Sequence, residues 1–217
     1  MKDIPMFTTE YGVASLFLQQ IPYTGIARIE ILASETPEAL LEECVEFCKA
    51  CGADQIHGCG HAYLEKFPMV TKILEMVGEK PEPSSAALFP VQAHTATQWR
   101  NLVNMRMSDV DGVAYITERD CAQMVKNGGA YFVHEGDTLL GVGLVEEDEI
   151  RVIASVARGR GEDVMRALSS VIPSDKVRVC VASTNLRAIR LYERLGFVAS
   201  QEISRWYCVH PAQKSDE

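Results

Sequence analysis

The stretch that decides the fold spans residues 183–197 and reads Ser183-Thr184-Asn185-Leu186-Arg187-Ala188-Ile189-Arg190-Leu191-Tyr192-Glu193-Arg194-Leu195-Gly196-Phe197. Its apolar side chains recur at the three- and four-residue spacing of an amphipathic helix, and a glycine at its end is a common helix stop. The spacing predicts a helix over 186–195. The apolar run at 177–181 before it predicts a strand, so the two together indicate a strand-then-helix unit of an α/β protein.

A glycine-rich turn precedes this unit, in the sequence Ile153-Ala154-Ser155-Val156-Ala157-Arg158-Gly159-Arg160-Gly161-Glu162. It follows a predicted strand at 150–155 and leads into an amphipathic segment at 164–172. Glycines in such a turn let backbone N–H groups converge, and the helix dipole adds positive potential, so this arrangement suits an anion. A tight exposed turn with two incidental arginines would have the same pattern.

Residues 185–197 resemble the motif that follows the fifth strand of GNAT (Gcn5-related N-acetyltransferase) enzymes, Asn-x-x-Ala-x-x-Leu-Tyr-Glu-x-x-Gly-Phe, at every named position. The glycine turn resembles that family's pyrophosphate signature, Arg/Gln-x-x-Gly-x-Gly/Ala, with Arg158 and Gly161 in place. Asp163 departs from it at the final small-residue position. The resemblance covers residues 90–209 and implies a mixed α/β, GNAT-like acyl-CoA N-acyltransferase fold.

The resemblance also implies an activity, in which a primary amine attacks acetyl-CoA directly and no metal takes part. Backbone groups of Ile153 and Ser155 would pair with the pantetheine arm, and the amides of residues 159–162 would cradle the pyrophosphate. Tyr192 would be the general acid that protonates the departing thiolate; its alternative role is a half-buried core tyrosine. The implied cofactor-binding residues are Ile153, Ala154, Ser155, Arg158, Gly159, Arg160, Gly161, Glu162, Asp163, Asn185, Ala188 and Tyr192.

Charges near the predicted site raise two questions. An aspartate at position 163 would favour the start of a helix but repel a pyrophosphate bound there, a repulsion that Arg158 and Arg160 could offset. The candidates for the general base are Glu147 and Glu149, because they alternate along one face of a strand that leads to the glycine turn. The acidic run that contains them is also typical of a solvated turn between strands.

The chain divides into two blocks at a proline- and serine-rich connection, residues 81–89. The second block, 90–217, is the predicted GNAT domain. The first, 1–80, is predicted to be a degenerate partial GNAT-like unit, because its hairpin, helix and strand follow the same order and because 73–78 align with 191–196. An ordinary α/β unit is the alternative. The predicted elements are strands at 13–18, 26–32, 55–59, 87–92, 130–134, 139–145 and 198–209, and helices at 36–51, 67–78, 97–107 and 117–126.

The charge and the cysteine content of the sequence indicate which kinds of partner the protein binds and which cellular compartment it occupies. A formal charge of -9 without a basic stripe argues against nucleic acid and suits a small-molecule or peptide amine acceptor. Seven scattered cysteines, with no signal peptide or membrane-spanning run, favour a cytoplasmic protein that does not enter a membrane. A homodimer stays open.

Two further hypotheses remain at this stage. A non-catalytic module with the same fold could sense acyl-CoA or bind a protein partner. Alternatively, a cysteine and histidine cluster could hold zinc, in which case the first block would be a metal-stabilised interaction domain. The residues of that cluster are Cys44, Cys48, Cys51, His57, Cys59 and His61.

Overall fold

A computed structural model describes residues 2–212 of the chain. Its backbone packs into two units, one formed by the chain up to Lys72 together with the part from Ser204 onward, the other by Ile73–Ile203. The chain passes from one unit to the other at two points, 72–73 and 203–204, and both points lie inside strands and not in the predicted connection at 81–89. The reason is that strand pairing, which is long-range, sets these limits, whereas the connection is only locally irregular.

The first unit is a sheet with a helix on one face. In chain order it contains strands β1 (Ile4–Thr9) and β2 (Gly12–Phe17), the short helix α1 (Ile21–Thr24), strand β3 (Ile26–Ala33), helix α2 (Pro37–Ala50), strand β4 (Gln55–Cys59) and a 3-10 helix (Ala62–Lys66). The three strands β1, β2 and β3 are antiparallel, and β4 is parallel to β3. Leu40, Cys44 and Cys48 of α2 are fully buried in its core, together with Leu16 and Ile29 of the sheet.

The second unit repeats this order with additional elements. It contains strand β6 (Ala87–Pro90), helices α3 (Ala96–Met107) and α4 (Glu118–Asn127), strands β7 (Ala130–Glu135), β8 (Thr138–Glu146) and β9 (Glu149–Ser155), helix α5 (Gly161–Ser170), strand β10 (Lys176–Ala182) and helix α6 (Leu186–Arg194). Strands β6 to β9 are antiparallel neighbours, and β10 is parallel to β9. The sequence β7, β8, β9, α5, β10 therefore matches β1, β2, β3, α2, β4, as the predicted internal repeat requires.

Two long strands contribute to both units: β5 (Met69–Glu79) and β11 (Val198–His210). In the second unit, residues 73–79 of β5 pair antiparallel with β10. In the first unit, the end of β11 pairs antiparallel with β4 at Tyr207 and Gly58. The first unit is thus completed by a strand from a distant part of the sequence, and the second pairs its first strand with β10.

The helix predicted over 67–78 is wrong, because this segment is β5. Its β-branched residues Val70, Thr71, Ile73 and Val77 suit an extended chain, and β10 supplies the backbone hydrogen bonds. The residue-by-residue alignment of 73–78 with 191–196 is wrong for the same reason, since the first is strand and most of the second is helix. Gly78 does not end a helix; a Cβ at this position would lie 2.7 Å from the ring of Phe197.

Two cores hold the second unit together. Helix α5 packs on one face of the sheet, where Val164 and Leu168 lie over Gly141 and Gly143 of β8. A Cβ at either glycine would come within 2.7 Å of these side chains, so the glycines allow the helix to lie close to the sheet. On the other face, Trp99 and Val103 of α3 are buried against β8 and β9.

Candidate functional site

The parallel strands β9 and β10 are paired only near the beginning of β9. Across residues 2–212 their parallel pairing is confined to Glu149 with Arg178 and Ile150 with Val179, although β9 continues to Ser155 and β10 to Ala182. In the first unit, the corresponding strands β3 and β4 pair at five consecutive positions. An opening between parallel strands therefore exists in the second unit at the position where the first unit is closed.

A bulge in β9 explains why the strands separate there. In the register with β8, Val145 faces Ile150 and Leu144 faces Val152, so Arg151 is an extra residue. Such a residue bends the strand and increases its twist. The bulge comes directly after the last pair with β10, at the point where the pairing of the two strands ends.

The open edge of β9 presents backbone groups. The amide of Val156 donates to the carbonyl of Leu140, on the β8 side. Because successive residues of a strand direct their backbone groups to opposite edges, those of Ser155 and Ile153 are directed toward the opening. These are the two residues whose backbone the sequence resemblance assigned to the pantetheine arm.

The glycine turn lies at the end of this edge and begins α5. Gly159 has φ 81°, a conformation that favours glycine, and the first helical hydrogen bond runs from the Val164 amide to the Arg160 carbonyl at 3.1 Å. The amides of the first turn before Val164 thus precede the helical ladder. Gly161 lies beside Leu191, whose Cδ2 would be 3.1 Å from an added Cβ, so the turn and α6 are in close contact.

Arg160 is held by two carboxylates. Its Nε donates to Asp163 Oδ2 at 2.6 Å and its Nη2 to Glu135 Oε2 at 2.7 Å. A hydrogen bond from Ser85, and then Arg160 itself, lowers the pKa of Glu135 below its ordinary value. The sequence suggested that Asp163 would repel a pyrophosphate and that Arg160 would bind one. In the structure, Arg160 pairs with Asp163 and with Glu135, and Arg158 is exposed on the turn.

Helix α6 positions two of the predicted residues. The Asn185 side chain accepts a 3.1 Å hydrogen bond from the Ala188 amide, so this asparagine caps the helix. Tyr192 is only 4% exposed, and its ring lies 6.1 Å from that of Phe197. Burial raises the pKa of the Tyr192 phenol above its ordinary value, so the phenol stays protonated at neutral pH.

The two candidate bases lie in different places. Glu147 is not on the strand: it lies in the β8–β9 turn with φ 55°, so it does not alternate with Glu149 along β9. Glu149 is the first residue of β9, and its side chain is 14% exposed. Its carboxylate lies 3.3 Å from Arg151 Nη1 and interacts with the Cys180 thiol of β10.

Cys180 lies on β10, beside Glu149, and its side chain is exposed. Although the residue is exposed, its sulfur is partly covered, and this desolvation, followed by the charge of Glu149, raises the pKa of the thiol to about 11. At neutral pH it is therefore a thiol and a weak nucleophile. Its position beside Glu149 and next to the opening makes it a natural reporter for a ligand bound there.

Sequence reasoning missed Glu75, because it assigned this residue to a helix. On β5, Glu75 is the in-register neighbour of Cys180, and its carboxylate accepts hydrogen bonds from Ser200 at 2.6 Å, Gln201 at 3.3 Å and Arg178 at 3.4 Å. It also missed Arg106, whose Nη2 donates to the Val156 carbonyl at 2.6 Å and ties α3 to the glycine turn. Neither contact has a local sequence signal.

The cysteines and histidines proposed as a zinc site do not form a cluster. Cys44 and Cys48 are fully buried on α2, and burial raises their pKa values to about 11 and about 12. His61 instead accepts a hydrogen bond from the Tyr63 amide at 3.1 Å. Within the described range, 2–212, no three His, Cys, Asp or Glu side chains are grouped as metal ligands. The same range contains no helix that is long and apolar enough to span a membrane.

No protein-family model and no curated protein matches the chain. Solved structures do match it. A GCN5-related N-acetyltransferase from Kribbella flavida superposes with a TM-score of 0.62 at 10% identity, over 93% of this chain and 58% of that one. One from Sphaerobacter thermophilus gives 0.57 at 13% identity, over 94% of this chain and 78% of the other.

A tandem GNAT protein from the clavulanic acid biosynthesis pathway also superposes, with a TM-score of 0.50 at 13% identity, over 95% of this chain and 80% of that one. The protein therefore has the GNAT fold. The match to a tandem protein agrees with the repeated strand and helix order in the first unit.

Proposed function

We propose that this protein transfers the acetyl group of acetyl-CoA to a primary amine by direct attack. The observation that carries the proposal is the opening between β9 and β10, which ends at a glycine turn and a helix start. An amide-bearing arm can pair with the open edge at Ile153 and Ser155, as a strand would. A diphosphate then lies at the first-turn amides, where the helix dipole favours negative charge.

The reaction needs one proton acceptor and one proton donor. Glu149 accepts a proton from the ammonium, directly or through water, and the free amine attacks the thioester carbonyl carbon. The new C–N bond forms, the C–S bond breaks, and the Tyr192 phenol donates its proton to the departing sulfur. The phenol carries the proton that this step needs, because burial raises its pKa and keeps it protonated at neutral pH. The attacking nitrogen then loses its second proton, through solvent, to the phenolate, which restores the phenol and leaves a neutral amide.

The acceptor is expected to be cationic. The protein carries a formal charge of -9, and near the point where β9 and β10 separate the carboxylates of Glu75, Glu146, Asp148 and Glu149 outnumber the two arginines that pair with them. Negative charge attracts an amine in its protonated form and raises its local concentration. Diamines, amino acids with basic side chains and peptide amino termini belong to this class.

The first experiment combines binding with turnover. Calorimetry with acetyl-CoA measures binding, and release of the CoA thiol in the presence of an amine panel measures transfer. Alkylation of Cys180, located by mass spectrometry, reports the place of binding, since a ligand in the opening should protect this exposed thiol. Cys51 and Cys208 are the internal references.

The outcomes separate the hypotheses. Binding, protection of Cys180 and amine-dependent thiol release support the acetyltransferase. Binding without release for any amine supports the acyl-CoA-sensing module instead. Absence of binding at millimolar acetyl-CoA rejects both.

A further inference from the structure

Arg178 lies beside Glu149 but is bound elsewhere. The Cα positions of the two residues are partners in the parallel pairing of β9 and β10, so their side chains emerge on neighbouring strands about 4.8 Å apart. The guanidinium nevertheless donates to Asp148 Oδ1 from Nη2 at 2.7 Å and from Nε at 3.1 Å. Its Nη1 lies 3.4 Å from Glu75 Oε2.

Glu75 is itself fixed in place. Its Oε1 accepts hydrogen bonds from Ser200 and Gln201 of β11, and its side chain is only 11% exposed. The Ser200 hydrogen bond is the largest cause that lowers the pKa of Glu75, with smaller contributions from Gln201 and Arg178. Glu75 therefore remains negatively charged at neutral pH and keeps its attraction for Arg178.

The surroundings of Glu149 show what a second guanidinium would change. The groups that face it are Arg151 on its own strand, Glu146 on β8, Asp148 in the turn, and Arg178 and Cys180 on β10, with Glu75 beyond them on β5. Arg151 already divides its contacts between Glu146 and Glu149. A guanidinium that paired fully with Glu149 would weaken it as a proton acceptor, because a nearby positive charge favours the ionised carboxylate.

We propose that Glu75, together with Asp148, is a positioning residue that holds Arg178 away from Glu149 and so keeps Glu149 available as the general base. The inference rests on the proposed function. It also assigns a role in the site to β5, a strand that precedes the GNAT-like region of the sequence. No local motif predicts this role for Glu75, because the residue is brought beside Arg178 and Cys180 by the register of β5 with β10.

A double-mutant cycle tests the role. Glu75→Gln retains the size of the side chain and loses the charge, and it is expected to lower kcat about tenfold, with KM for acetyl-CoA little changed. In Glu75→Gln/Arg178→Gln the released guanidinium is absent, so kcat should equal that of Arg178→Gln alone. Glu46→Gln, which breaks an exposed ion pair with Lys49, is the matched control for charge loss.

The cycle has a clear negative outcome. If Glu75→Gln lowers kcat by the same factor with and without Arg178, the residue has only a structural role and the proposal is overturned. Should Glu75→Gln fail to fold, Asp148→Asn releases the same guanidinium from its other side and must show the same dependence on Arg178.

A readout without turnover separates this inference from the proposed function. A crystal structure of Glu75→Gln should show the Arg178 guanidinium turned toward the Glu149 carboxylate, within hydrogen-bonding distance. A guanidinium that stays on Asp148 overturns the positioning role. Absence of thiol release by the native protein, with the guanidinium moving as expected, rejects the proposed activity alone.

Discussion

The carboxylate of Asp163 accepts a 2.6 Å hydrogen bond from Nε of Arg160, at the helix start where the sequence predicts a pyrophosphate. In this ion pair the negative charge of Asp163 and the positive charge of Arg160 offset each other. Glu135 binds the other side of the guanidinium, so the arginine is held between two acids. The net charge at this helix start therefore depends on these ion pairs, and a substitution of any one of the three residues changes it.

Removal of the Asp163 charge should strengthen cofactor binding. In Asp163→Asn the helix start loses a negative charge and Arg160 gains freedom to reach a phosphate. We expect the Kd for acetyl-CoA, measured by calorimetry, to fall about two- to fivefold, with a larger effect at low salt. Glu118→Gln, which removes an acid from the first turn of α4, is the control. Weaker binding by Asp163→Asn would mean that the ion pair shapes the turn for its ligand.

The glycine turn should tolerate no side chain at Gly159. An alanine at φ 81° costs about 1–2 kcal/mol in backbone strain. Gly52 offers a control in the first unit, because it also has a positive φ, 89°, and open space around it. Both Gly159→Ala and Gly52→Ala should lower the melting temperature, but only Gly159→Ala should weaken acetyl-CoA binding. Equal affinities in the two variants would argue against a phosphate at this turn.

Tyr192→Phe should separate catalysis from packing. The ring contact with Phe197 is retained, so the melting temperature should change little, while kcat should fall about 100-fold because no proton donor remains. Because burial raises the pKa of this phenol, loss of its proton should not limit kcat at or below the ordinary tyrosine pKa of about 10. Tyr23→Phe, at an exposed tyrosine in the first unit, is the control. A full rate in Tyr192→Phe would require another acid.

The two acidic candidates should behave differently. Glu149→Gln should lower kcat by about two to four orders of magnitude, since the amide cannot accept the amine proton. Glu147→Gln should have little effect on kcat, because this side chain belongs to the turn. Glu147→Gly should raise the melting temperature by relieving the positive φ. An equal loss of activity in both glutamine variants would indicate a general electrostatic effect.

Phe197, the last residue of the motif, should stabilise the fold by packing against Gly78 of β5. Gly78→Ala places a Cβ about 2.7 Å from the Phe197 ring and should lower the free energy of unfolding by about 1–3 kcal/mol, measured with a denaturant. Phe197→Leu should restore part of this loss in the double mutant, because a smaller side chain leaves room. Additive losses would mean that the two residues do not share one space.

Local patterns predicted much of the second unit and less of the first. The helix at 186–195, the hairpin at 130–145 and the glycine turn each have a local signal, and the structure confirms them as α6, β7 with β8, and the start of α5. The segment at 67–78 has spacing compatible with a helix and composition compatible with a strand. Its pairing with β10 decided between them, and pairing partners distant in sequence leave no trace in a local window.

The candidate site shows the same division. Arg160 lies in the motif that predicts phosphate binding, which stays a prediction, and its side chain contacts Glu135, 25 positions away. Glu75 was assigned to the wrong element and therefore omitted from the site. In both cases the chemistry of the residue was evident, but its partners were not.

From the sequence alone came the GNAT resemblance, the glycine turn and the helix that carries Tyr192, because each depends on residues close together in the chain. The tertiary structure decided which charges neutralise one another and where the strands separate. It also set the compact units, whose limits lie within β5 and β11. Ion pairs and strand register arise between distant residues, and their geometry exists only once the chain has folded.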